Sequence, residues 1–270
     1  MRSISAADLR IQQATGDLML LYGETGVGKS VTTLQTCALP VNYMLTEPRD
    51  PKKFIIAAQR EELWEPGNAN FVFYDGFLDS IDYLCTHEFG NDRTIVLDSK
   101  THLMLNLLQE ITGDAYDDRL ADPKKRADAI AKALTNQVKS SQEDYGALSG
   151  QMRRFSNALA RHSQEGRTVI SLCRLQENPK YDRTVMAGPA LTGKEFAKDM
   201  PGWYDFIGIV TTRKDEDGNV VYPPCVTFEK SGSHMAKWTG ITPAGGVTNK
   251  ILDIQKILAV AHGEGGKAAS

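Results

Sequence analysis

Gly23-Glu24-Thr25-Gly26-Val27-Gly28-Lys29-Ser30 fits the pattern GxxxxGK[ST] without a mismatch. The apolar run Leu18–Tyr22 precedes it, and a segment of helical pattern follows from Lys29 to Pro40. That strand-loop-helix setting separates a phosphate-binding loop from a glycine-rich turn that spells the motif by chance. Glycines let the backbone curl until successive N–H groups converge on phosphates, and the helix N-terminus adds partial positive charge. In such a loop Lys29 neutralises the β and γ phosphates and the Ser30 hydroxyl ligates Mg²⁺. Gly23, Glu24, Thr25, Gly26, Val27, Gly28, Lys29, Ser30 and Val31 are therefore the expected contacts for ATP with Mg²⁺.

Working outward, Val41–Thr46 reads as a second strand that ends on Glu47-Pro48. Ile55–Trp64 reads as helix, Phe71–Tyr74 as strand and Phe77–Glu88 as helix. Thr94–Leu97 is a β-branched apolar run ending on Asp98, as expected of a central strand. Asp98 is then the candidate carboxylate for Mg²⁺, in a Walker B pattern, with Ser30 as its partner. An aspartate there can also simply cap a turn. Hydrolysis further requires a group that orients or deprotonates water. Glu47, on a strand end at the same edge, is the candidate; the competing reading is a solvated glutamate before a proline turn.

The rest of the chain sets the architecture. Gly113–Gly146 turns polar and charged and reads as an insertion, with Ala127–Val138 inside it as a helix. Met152, Phe155 and Leu159 repeat at helical spacing, as a core stripe does, and Thr168–Leu172 is another strand. Gln176–Lys194 reads as a second long loop. Phe206–Thr211 and Val220–Phe228 flank Asp217-Gly218-Asn219, a hairpin turn. Strands alternating with helices predict an α/β fold: a mostly parallel sheet with helices on both faces and a C-terminal antiparallel hairpin. Right-handed crossovers place the site on one edge. Residues 18–262 are expected to form the nucleotide-binding domain, with 1–17 an N-terminal segment and 263–270 a flexible tail.

Composition narrows the setting. With 41% hydrophobic residues in 270, the chain can bury one large α/β core. A net charge of −3 offers no global basic field, so any nucleic-acid site must be local. Cys37, Cys85, Cys173 and Cys225 lack CxxC spacing, which suits reduced thiols in a cytoplasmic protein. Met1–Asp17 lacks an apolar signal core and no stretch is apolar enough to span a membrane, so a soluble protein with no membrane partner is expected. His87, His102, His162, His234 and His262 show no metal-ligand spacing.

The order Walker A, Thr46-Glu47, then Val96-Leu97-Asp98-Ser99 resembles the RecA-like P-loop ATPases. Leu191-Thr192-Gly193-Lys194, Pro201-Gly202-Trp203-Tyr204-Asp205 and His234-Met235-Ala236-Lys237 are similar to phage-encoded RecA-core ATPases associated with single-strand annealing and recombination. The likeness runs from Leu18 to Gly240. It implies an ATPase that self-assembles, as ring or filament, on single-stranded DNA in the cytoplasm of an infected bacterium, with a phage or host single-strand-binding protein as a further partner. It also implies that the two long loops face DNA. Lys124, Lys125, Arg126, Lys132 and Lys139 in the first, and Lys180, Tyr181 and Arg183 in the second, are the expected contacts. A solvated surface diluted by Asp117, Asp118, Asp122 and Asp128 is the competing reading. Lys230, with Lys237 as second candidate, takes the place of a cation supplied to a neighbouring subunit's site. Arg174 takes the place of a γ-phosphate sensor, where RecA itself keeps glutamine. A DnaB-like helicase-associated ATPase would share this core. A small-molecule kinase should carry an arginine-rich lid, yet Arg174 and Arg183 are the only arginines in and beside the second loop.

Overall fold

Leu18, Leu20 and Tyr22 alternate with Met19 and Leu21, and all five side chains are buried because β1 (Leu18–Gly23) runs through the middle of a sheet covered on both faces. The computed structural model describes residues 16–121 and 141–264. The other strands are β2 (Val41–Leu45), β3 (Ala69–Phe73), β4 (Thr94–Asp98), β5 (Thr168–Glu177), β6 (Ala187–Pro189), β7 (Phe206–Lys214), β8 (Val220–Thr227) and β9 (Lys250–Ile251). Their order is β3-β2-β4-β5-β1-β7-β8-β9, with β6 paired beside β5. Strands β3 to β7 along this path are parallel, whereas β8 and β9 continue it antiparallel. This is the α/β class expected, with the antiparallel strands at the C-terminal end.

Helices α1 (Lys29–Thr36), α2 (Pro51–Ala58) and α7 (Ile254–Ala261) cover one face, where Leu34, Ile55 and Ile257 meet Met19, Leu21 and Val96. Helices α3 (Phe77–Thr86), α4 (Lys100–Ala121), α5 (Gln142–Gln164) and α6 (Lys194–Asp199) cover the other, packing Phe77, Leu103, Phe155 and Phe196 on Leu20 and Leu97. Met152, Phe155 and Leu159 are the buried stripe of α5.

Four expectations change. The helix read over Ile55–Trp64 is two pieces: Asp50 accepts the Lys52 N–H at 3.0 Å to start α2 at Pro51, and Gln59 at φ 50° ends it before a 3₁₀ turn, Glu61–Trp64. The insertion read over Gly113–Gly146 is helical at both ends. No proline interrupts Lys100–Ala121, so polarity alone does not stop α4 within the described residues. Ser141 and Asp144 form a reciprocal capping box that starts α5 ahead of Gly146. The helix expected at Ala127–Val138 lies outside the described residues. The strand read over Thr168–Leu172 runs on to Glu177, and the loop read over Gln176–Lys194 folds back on it as β6, pairing Leu175 with Pro189 and Glu177 with Ala187.

Candidate functional site

The loop leaves β1 at the sheet edge where the parallel strands end. Gly26 and Gly28 hold φ of 85° and 97°, left-handed values that favour glycine. Helix α1 opens on Gly28 with neither a side-chain cap nor an acid in its first turn, so its N–H groups are free for an anion. Lys29 Nζ folds back to donate to the carbonyls of Gly23 at 2.8 Å and Glu24 at 2.7 Å, partners that a phosphate can replace. Burial pushes its pKa down to about 8, further helped by Arg49 and opposed by Asp98 and Glu47.

Asp98 ends β4, opposite Leu45 on β2 and Leu172 on β5. Its Oδ2 accepts the Ser30 hydroxyl at 2.7 Å and the buried Tyr43 hydroxyl at 2.8 Å. A hydroxyl and a carboxylate oxygen in contact, at a phosphate loop, are the hard donors Mg²⁺ takes. The residues present fit that ion.

Glu47 follows β2 and is 7% exposed. Its Oε1 receives the Ser99 hydroxyl at 3.1 Å, lies 2.8 Å from His102 Nδ1 and accepts from Arg174 Nη2 at 3.2 Å, while Arg49 pairs with Oε2. The base of this clasp is pinned because Thr46 Oγ1 donates to the Ser99 carbonyl at 2.7 Å and accepts the Ser99 N–H at 2.8 Å. Burial would raise the Glu47 pKa, but Arg49, His102 and Arg174 outweigh it and hold the carboxylate below its ordinary value. Charged at neutral pH, it can accept hydrogen bonds from a water and orient it. Loop, Asp98, Glu47, Arg49 and Arg174 line one cleft of about 620 Å³.

The structure thus brings Lys29, Ser30, Asp98, Glu47 and Arg174 together. Lys230 is exposed three residues beyond the end of antiparallel β8, close enough to Asp182 on the β5–β6 loop to help lower that carboxylate's pKa. Lys237 Nζ donates to the carbonyls of Pro201 at 3.2 Å and Tyr204 at 2.5 Å. Lys180 and Arg183 are exposed on the β5–β6 loop. Tyr181 corrects the expectation of a base-stacking surface: it is buried, and its hydroxyl donates to the Pro189 carbonyl at 2.6 Å beneath Gly188. Lys124, Lys125, Arg126, Lys132 and Lys139 lie outside the described residues. Sequence reasoning missed Arg49, His102, Ser99 and Tyr43. Arg49 carried a faint signal, two residues beyond Glu47; His102 and Tyr43 carried none. Among the described residues no group of three or more His, Cys, Asp or Glu is set to hold a metal ion, and no helix is long and apolar enough to cross a membrane.

No family model and no curated protein matches the chain. Among solved structures it is similar to a KaiC-like protein of the hyperthermophilic archaeon Pyrococcus horikoshii, at 13% identity over 79% of this chain and 78% of that one, TM-score 0.40. It is similar to the ATPase domain of G40P at 15% identity over 80% and 81%, TM-score 0.38. A third likeness is to an ATPase from the type III secretion system of pathogenic bacteria, at 12% identity over 73% of this chain and 52% of that one, TM-score 0.44. Likenesses of this size carry no argument about what this chain binds.

Proposed function

We propose that residues 18–262 form a RecA-like ATPase that binds ATP with Mg²⁺ at Gly23–Val31 and hydrolyses it. In this reading it acts as a homo-oligomer on single-stranded DNA, in phage recombination or strand annealing within the cytoplasm. One observation carries the catalytic part: Lys29, the Ser30–Asp98 pair and Glu47, far apart in the chain, open into one cleft. The freed N–H groups of the loop and Lys29 would hold the phosphates, and Ser30 and Asp98 would hold Mg²⁺. The metal supplies charge neutralisation at the β and γ phosphates. Glu47 would orient the attacking water. Arg49 and Arg174, whose charges Glu47 now balances, would turn toward the γ-phosphate, and the carboxylate they release would become free for the water.

The DNA part is supported by the exposed Lys180 and Arg183 on the loop that Arg174 leads into, so one strand joins a partner of Glu47 to a loop carrying two exposed cations alongside Glu177 and Asp182. In the oligomer, Lys230, exposed after β8 and outside the lining of its own cleft, would be the cation offered to a neighbour's site.

ATP turnover with Mg²⁺, measured with and without single-stranded DNA, tests the reading. Lys29→Ala should abolish binding, while Glu47→Gln should spare binding and slow turnover by ~10²–10⁴-fold. Turnover unchanged in Glu47→Gln removes Glu47 from the mechanism. Indifference to DNA removes the DNA part, and phosphorylation of a metabolite in place of hydrolysis replaces the ATPase with a kinase.

A further inference from the structure

Strand β2 is buried along its whole length, yet it carries a phenol hydroxyl into the core. Tyr43 is fully buried in the apolar cluster that holds Leu34, Leu45 and Val96, and its ring is tilted against Phe71 at 5.5 Å between centroids. A phenylalanine would fill the same space with no polar atom to satisfy, whereas a buried hydroxyl is costly without a partner. The strand register supplies that partner. Tyr43 stands opposite Val96 and Leu45 opposite Asp98, so Tyr43 and Asp98 are diagonal neighbours on one face of the sheet. The Tyr43 hydroxyl donates to Asp98 Oδ2 at 2.8 Å, the same oxygen that accepts the Ser30 hydroxyl at 2.7 Å.

A carboxylate oxygen offers about two lone-pair sites, so these two donors fill Oδ2. Among the described residues Oδ1 receives no hydrogen bond, yet it is not sealed from solvent. Asp98 lines the cleft and Tyr43 does not. Ser30 can keep donating to Oδ2 while its own oxygen faces a cation, but Oδ2 has no site left to give. Asp98 therefore presents a single oxygen. Mg²⁺, small and strictly octahedral, suits one carboxylate oxygen, whereas Ca²⁺ takes more ligands and accepts a carboxylate through both oxygens.

Resting on the Mg²⁺ site proposed above, we infer that Tyr43 is a positioning residue for metal choice: by occupying Oδ2 it keeps Asp98 a one-oxygen donor and favours Mg²⁺ over Ca²⁺. It acts through Asp98 and touches neither nucleotide nor metal.

The test is equilibrium binding of ATP in Mg²⁺, in Ca²⁺ and in EDTA without either, to the wild type, Tyr43→Phe, Ser30→Ala and Lys29→Ala. Each metal's contribution is the Kd in EDTA divided by the Kd with that metal. Tyr43→Phe should leave the EDTA affinity unchanged, which also certifies the fold. Its Mg²⁺ contribution should fall relative to that of Ca²⁺ by about 10-fold or more, as expected when a group that orients a metal ligand is lost. An unchanged ratio overturns the inference, whether both contributions fall together or neither moves. A weakened EDTA affinity in Tyr43→Phe overturns it as well, because the tyrosine then supports the shape of the loop. Ser30→Ala should lose both metal contributions. Their retention there, or wild-type affinity in Lys29→Ala, sinks the nucleotide and metal site itself, and the role of Tyr43 with it.

Discussion

Lys29 is a cation whose charge is disfavoured by burial and favoured by two carboxylates, which leaves its pKa near the physiological range, at about 8. Because kcat/KM reports the free enzyme, it should be level below about pH 8 and fall roughly tenfold per unit above, as the ammonium is lost. A pH–rate profile from 6 to 9.5 checks this, and Lys29→Arg should flatten the alkaline limb in whatever activity it keeps. Arg49 offers a second residue-level prediction. If it turns to the γ-phosphate, Arg49→Ala should lower kcat by ~10²–10³-fold with smaller change in KM; unchanged kcat would make it only a counter-ion to Glu47. Lys29, Ser30, Asp98 and Glu47 were legible before any coordinates because each occupies a local pattern, a loop motif or an apolar strand ending on a carboxylate. Arg49, His102 and Arg174 converge on one carboxylate from a loop, α4 and β5, and no local pattern records that. Histidine spacing, useful for metals, says nothing of a lone histidine that meets a glutamate across the fold.

At the level of elements, Lys100 at the start of α4 is fully buried and ties three of them together. Its Nζ donates to the Tyr204 hydroxyl at 2.8 Å and to Ser156 on α5 at 3.2 Å, while Tyr204 in turn donates to Ser171 on β5 at 2.8 Å. Burial lowers its pKa from 10.5 to about 8. The unfolded chain therefore binds more protons between those values, so this lysine makes stability rise with pH across that window, and its cost is full below about pH 8. Lys100→Met should stabilise the fold at pH 7 by on the order of 1–3 kcal/mol, with the gap to wild type closing toward pH 10 in urea unfolding. On the β5–β6 loop, Lys180→Ala with Arg183→Ala should weaken single-stranded DNA binding and reduce its salt slope by about 1. No change in either would make the loop a solvated surface. Apolar runs located β1, β2, β4 and the β7–β8 hairpin well, since strands buried on both faces are continuous in sequence. The helical course of α4 past Gly113 and the start of α5 were hidden because charge and two glycines suggest a loop, whereas no proline breaks Lys100–Ala121 and a capping box at Ser141 starts α5.

Across the whole molecule, the strand order gives the cleft a polarity: Asp98 and Glu47 on the β5 side of β1, and the exposed Tyr222 on the β7 side. A site completed by the neighbour's Lys230 predicts complementation. Lys230→Ala, with an intact loop, and Lys29→Ala, with an intact Lys230, should each be nearly inactive alone, yet recover turnover when mixed; no recovery at any ratio would argue against the shared site. The parallel class was readable from alternation alone, but the order of strands was not, because crossovers leave no mark on local composition. One contact closes this topology on itself. Asp17, just before β1, accepts from or pairs with His262, just after α7, at 3.1 Å between Oδ1 and Nε2. A short linker joining those two positions, with the chain opened instead at the exposed turn between Gly90 and Asn91, should yield a circular permutant that keeps the same sheet. The threading order of the strands is then separable from the arrangement that makes the cleft.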